Sequence, residues 1–86
     1  MDNQRKRLRY QSWHRGTKEL DFLLGKFFDA QEARFSSKDL TLYQQLLEED
    51  DYDLYQWLTI NASAFPKHYD CLIKRIQIFH QHKAMS

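Results

Sequence analysis

Only Gly16, Gly25 and Pro66 interrupt the 86 residues of this chain with a glycine or a proline. Sandwiches and barrels need breakers at most of their turns, so so few of them point to helices joined by short connections. The apolar residues agree. Leu20, Leu23, Leu24, Phe27 and Phe28 stand at i, i+3, i+4, i+7 and i+8, one continuous stripe on a 3.6-residue period. Gly16 or Thr17 can cap that helix, and Glu19 falls in its first turn, where the helix dipole favours a carboxylate. Gly25 inside the stripe costs about 1 kcal/mol relative to Ala, a cost that the close approach of a neighbouring helix would explain. Four more helices read from the same rules. Residues 4–13 form a basic first helix that places Leu8 and Trp13 in the core. Residues 38–49 form a third, with Ser36 or Ser37 as cap, Ser36 and Asp39 as a capping box, and Leu40, Tyr43, Leu46 and Leu47 inward. Residues 52–58 form a fourth, capped by Asp50 or Asp51, with Leu54, Trp57 and Leu58 inward. After a loop over 61–66, Pro66 opens a fifth that carries Tyr69, Leu72, Ile73, Ile76 and Phe79. The expectation is an all-α, single-domain five-helix bundle over 1–86, its core spanning about 4–80 and its polar tail frayed from His80 onward.

A domain of this length buries roughly 60% of the surface its unfolded chain exposes, enough for one modest core without a deep cofactor cavity. A hydrophobic fraction of 42%, with 15% aromatic, is too high for a disordered tail. The single Cys71 excludes an intrachain disulfide, suits a reducing compartment, and beside Leu72 and Ile73 reads as a buried thiol. No apolar run approaches the ~18 residues of a membrane span. The basic N-terminus lacks the apolar segment of a secretory signal. Its arginines have a presequence flavour, but the folded segment begins so early that nothing is left to cleave.

Net charge is +1, unevenly placed. Residues 1–18 hold Arg5, Lys6, Arg7, Arg9, Arg15 and Lys18 against Asp2, whereas 48–53 hold Glu48, Glu49, Asp50, Asp51 and Asp53 without a base. Such asymmetry steers encounter with a partner. The residues that would do chemistry are not grouped. His80 and His82 diverge by about 200° around a helix, and His14 and His68 stand alone, so no metal site is expected. Ser12, Ser36, Ser37, Ser63 and Ser86 lack a nucleophile motif and read as caps or loop residues. Two glycines nine residues apart cannot build a phosphate-cradling loop, so any nucleotide role must run through a partner. Arg5 to Arg9, with Tyr10 and Trp13 nearby, resembles a nucleic-acid footprint, but the near-neutral balance and the acidic patch oppose it. The acidic run itself reads as a helix cap with solvated neighbours.

The stretch Arg15-Gly16-Thr17-Lys18-Glu19-Leu20-Asp21 reads structurally as a bend and a helix start, with an i, i+4 Arg15–Glu19 pair. It also resembles the R-G-x-x-E-L-D signature of the small succinate dehydrogenase assembly factors, the SdhE family of bacteria, called assembly factor 2 in mitochondria. A second block is similar too: residues 43–58 show a helix ending Leu46-Leu47-Glu48, an acidic joint, and Leu54-Tyr55-Gln56-Trp57-Leu58. Little departs from the pattern; Tyr52 stands where many relatives carry a proline. The resemblance covers roughly 5–80. It implies a five-helix factor that promotes covalent attachment of FAD to the flavoprotein subunit of succinate dehydrogenase, and of the related fumarate reductase, without catalysing the reaction itself. It places Arg15, Gly16 and Glu19 in the contact patch, with Asp50 and Asp51 as cap or rim. FAD then belongs to the partner and none is bound by this chain; no nucleic acid and no membrane insertion are expected, and homodimerisation is left open. The same family admits an antitoxin reading, a binder that neutralises a toxin. The lack of a presequence leans towards a bacterial cytoplasm, with the mitochondrial matrix as the eukaryotic counterpart.

Overall fold

The computed structural model describes residues 3–59 and 65–85, the side chains of 81–85 excepted. Five α-helices follow one another: α1 (Asn3–Trp13), α2 (Lys18–Gln31), α3 (Ser37–Leu47), α4 (Asp51–Thr59) and α5 (Asp70–Met85). Short 3₁₀ turns at Glu32–Arg34 and Lys67–Tyr69 close α2 and open α5. Of the expected loop, 61–64 lie outside the described residues. Pro66 immediately precedes the second 3₁₀ turn, donating no N–H where none is needed. The backbone of α5 stays helical to Met85, past the fraying expected from His80. His80 itself meets the carbonyl of Leu23 on α2 at 2.7 Å.

The five helices share one hydrophobic core. Leu20, Leu24, Phe27 and Phe28 of α2 sit at its centre, with Leu40, Tyr43, Leu46 and Leu47 of α3, Leu54 and Leu58 of α4, and Leu72, Ile73 and Ile76 of α5. Leu23, Trp57 and Phe79 pack at its edge. Phe28 stacks on Tyr43 at 5.2 Å between centroids, and Phe35 meets both rings edge-on. Such offset and T-shaped contacts suit the aromatic quadrupole.

Two features tie α1 onto this core, and one of them escaped the sequence reading. Ser12, expected in a cap or loop, lies fully buried in the last turn of α1. Its hydroxyl meets the Leu8 carbonyl at 2.7 Å and the Tyr43 hydroxyl at 2.6 Å, while Tyr43 also reaches the Leu24 carbonyl at 3.3 Å. Three helices thus share one buried polar clasp with every group satisfied. The other feature is the contact between Gly25 and Trp13. A Cβ on Gly25 would stand 2.3 Å from the Trp13 ring, so the glycine admits the indole against α2.

Cys71 is exposed, contrary to the expectation of a buried thiol. The stripe Tyr69, Leu72, Ile73 and Ile76 faces inward, and residue 71 falls on the other side of the 100° per residue rotation. Sequence neighbours of a helical residue do not share its face.

Candidate docking surface

The surface is built where α1 turns into α2 and where α3 turns into α4. The first bend requires Gly16, whose φ is +113°, a left-handed conformation that L side chains rarely adopt. Thr17 then caps α2, its hydroxyl accepting from the Leu20 amide at 3.3 Å. The Asp21 carboxylate reaches back to accept from the Arg15 amide at 2.5 Å, closing the bend. Ser36 and Asp39 form the expected capping box at the start of α3. Asp50 accepts from the Tyr52 amide at 3.1 Å, so the cap of α4 is Asp50 rather than Asp51.

Arg15 joins the two bends. The expected pair with Glu19 does not form. The guanidinium crosses to Asp51 instead, with Nη2 2.7 Å and Nε 3.1 Å from Oδ1, and donates to the carbonyls of Leu47 and Glu49. The Leu47 carbonyl ends α3 and that of Glu49 lies just beyond it, so a cation there satisfies a helix-terminal acceptor and meets the negative end of the dipole. Its side chain is only 14% exposed. Spacing within one helix suggested Glu19; only the return of α3 to α2 supplies Asp51.

Four of the five predicted site residues therefore meet at one place, Arg15 and Asp51 as a clamp, Gly16 as the turn, Glu19 on the surface. Asp50 lies beside them, its carboxylate turned to the α4 amides. Glu19 differs from Arg15 and Asp51: it is exposed, and no ion pair among the described residues engages it. It lines an open cavity of about 460 Å³ between the start of α2 and the outer side of α4, with Lys18, Leu20, Asp51, Tyr52 and Tyr55. Tyr55 is the site residue that sequence reasoning missed. The Glu19 carboxylate beside its hydroxyl raises the phenol's pKa above its usual value. The available signal was its position, one residue past inward-facing Leu54 and so on the outer face of α4.

The acidic joint is held from below by Tyr69, whose hydroxyl donates to Glu49 Oε2 at 2.8 Å. Burial and that carboxylate push its pKa up to about 12. The basic face of α1 is partly neutralised, since Arg5 pairs with Glu32 at 2.7 Å and Arg9 with Asp29 at 3.0 Å. No group of three or more His, Cys, Asp or Glu side chains among the described residues could hold a metal ion. No described helix is long and apolar enough to cross a membrane.

Fold and surface together define a small all-helical module, with a clamped double bend presenting one carboxylate beside an aromatic groove. The chain belongs to the family described as the flavinator of succinate dehydrogenase, whose model matches residues 6–80. It is similar to the mitochondrial succinate dehydrogenase assembly factor 2 of Debaryomyces hansenii, 42% identical over 66 residues, covering 77% of this chain and 46% of that protein. The protein of the same name from Kluyveromyces lactis is also 42% identical over 66 residues, covering 77% of this chain and 40% of its own length. That of Saccharomyces cerevisiae is 37% identical over 87 residues, covering 96% of this chain and 54% of its own. The chain thus spans about half the length of these relatives. No solved structure matches it.

Proposed function

We propose that this chain promotes covalent attachment of FAD to the flavoprotein subunit of succinate dehydrogenase by docking on it, and that it leaves the chemistry to the partner. The same surface would serve the flavoprotein of fumarate reductase. One observation carries the docking reading. Of the residues in the Arg15–Asp21 segment, Arg15, Gly16, Leu20 and Asp21 each have a structural task inside the molecule, as clamp, turn, core and staple. Glu19 has none that the fold requires, yet the clamp and the turn hold it at the rim of the groove. A carboxylate fixed in this way is preorganised for a partner. The dinucleotide is assigned to the partner because its pyrophosphate needs a cradle of backbone N–H groups, whereas Glu19 and Asp51 line this groove with negative charge. The site of action is the compartment where that flavoprotein is assembled, the mitochondrial matrix in a eukaryote or the cytoplasm in a bacterium.

The test is covalent flavin in the succinate dehydrogenase flavoprotein, read as in-gel fluorescence with the protein present, absent, or carrying Glu19→Ala. Flavin should fall in the second and third lanes. Equal fluorescence in all three would remove both the client and the patch. Gly16→Arg is a poorer probe, because a side chain at φ +113° strains the bend itself.

A further inference from the structure

The groove beside Glu19 has aromatic walls that contacts inside the molecule do not explain. Tyr52 is 68% exposed and Tyr55 39% exposed. With Leu20 they form the apolar part of the cavity. Large amphipathic rings of this kind are enriched among the residues that dominate interface energetics. The charge around them is one-sided. Glu19 and Asp51 line the groove and the exposed Asp50 and Asp53 flank it, while Lys18 is the one cation among the lining residues. Arg15 offsets Asp51 and reaches no further carboxylate side chain here.

Taking the flavoprotein reading above as its premise, the geometry points to a docking site for an arginine side chain of that flavoprotein, carried on an otherwise apolar segment. Its guanidinium stacks on Tyr52 and Tyr55 and forks onto the Glu19 carboxylate. The three demands of such a side chain are met together. A flat cation favours the face of a tyrosine. A planar fork of donors matches a carboxylate bidentately, which a lysine ammonium does not do. The aliphatic stem gains from the apolar floor at Leu20. An acidic segment would meet at least three unpaired carboxylates and is disfavoured. Tyr55 acts here as a positioning residue, lining the cavity together with Glu19.

The test uses purified flavoprotein and four forms of this protein: unaltered, Tyr52→Ala, Tyr55→Phe and Glu19→Gln, with the Tyr55→Phe/Glu19→Gln double variant completing a cycle. All these side chains are exposed, and unchanged thermal melts verify the fold. Tyr52→Ala and Glu19→Gln should each weaken binding on the order of tenfold, as truncation of an interface anchor does. Tyr55→Phe should weaken it by a few-fold, and that loss should vanish in the Glu19→Gln background, as coupling through one carboxylate requires. A photo-reactive benzoylphenylalanine at position 52 should crosslink to a flavoprotein segment containing an arginine. If the unaltered protein binds but the variants bind equally well, the groove is not the site, while the docking reading survives. If the unaltered protein does not bind, both fall. A crosslinked segment that is acidic or lacks arginine, or a crosslink to a second copy of this chain, overturns the proposal.

Discussion

At the scale of single residues, Arg15 and the buried tyrosines show how much depends on one side chain. Arg15 makes charge-assisted bonds to Asp51 and to two carbonyls while mostly shielded from water. Its loss strands those acceptors, so Arg15→Ala should lower unfolding free energy by about 2–3 kcal/mol in a urea titration. Arg15→Lys should recover only part of this, because an ammonium cannot fork across Asp51 and the carbonyls. The tyrosines make a pH prediction. Burial raises the pKa of Tyr43, offset in part by its bond to Ser12, and burial together with Glu49 raises that of Tyr69 to about 12. A group whose folded pKa lies above its unfolded value, here about 10, stabilises fully below the unfolded value and loses that contribution as pH climbs towards the folded one. The tyrosines' contribution to stability should therefore hold up to about pH 10 and be lost progressively as pH climbs beyond it, read by chemical denaturation. Tyr69→Phe should flatten part of that decline.

At the scale of elements, the contact between α1 and α2 makes an unusual demand. Replacing a mid-helix glycine by alanine normally gains about 1 kcal/mol of helix propensity. Here the new methyl would meet the rigid Trp13 ring at 2.3 Å, and the indole is further held by a bond to Asp29 at 3.1 Å. Gly25→Ala should therefore destabilise, by about 1–3 kcal/mol of overpacking, with the sign read directly from thermal melts. A gain in stability would mean that the indole swings aside at little cost. The α3–α4 joint adds a second case. Tyr52, where many relatives of the resembled family carry proline, leaves the first turn of α4 intact because Asp50 caps it. The residue that departs from the resembled pattern is also the most exposed wall of the groove.

For the whole molecule, charge is unevenly distributed. The basic face of α1 and the acidic joint between α3 and α4 belong to different parts of the chain, and the clamp of Arg15 on Asp51 links them without cancelling the remaining carboxylates. A partner that meets the acidic side is steered by a field that salt screens over about 8 Å at physiological strength. Stopped-flow association with the flavoprotein should slow as salt rises from about 0.05 M to about 0.5 M, with dissociation changing less. An association rate indifferent to salt would place the contact on an uncharged face.

The sequence by itself determined the five helices, their caps to within one residue, and nearly all of the inward stripes. Those properties are local: a 3.6-residue period and a capping oxygen are complete within a few residues. The same locality made the Arg15-Gly16-x-x-Glu19 segment legible as a bend with a charged rim. Tertiary structure decided what local spacing cannot carry. It turned Arg15 from Glu19 to Asp51, buried Ser12 against Tyr43, exposed Cys71, seated the Trp13 indole on Gly25, and set Tyr55 beside Glu19 as the wall of a groove. Each of these joins residues from different helices or depends on which way a helix is rotated against the core. The partner of a long side chain is chosen by whichever helix packs within reach, and that choice is made only when the core closes.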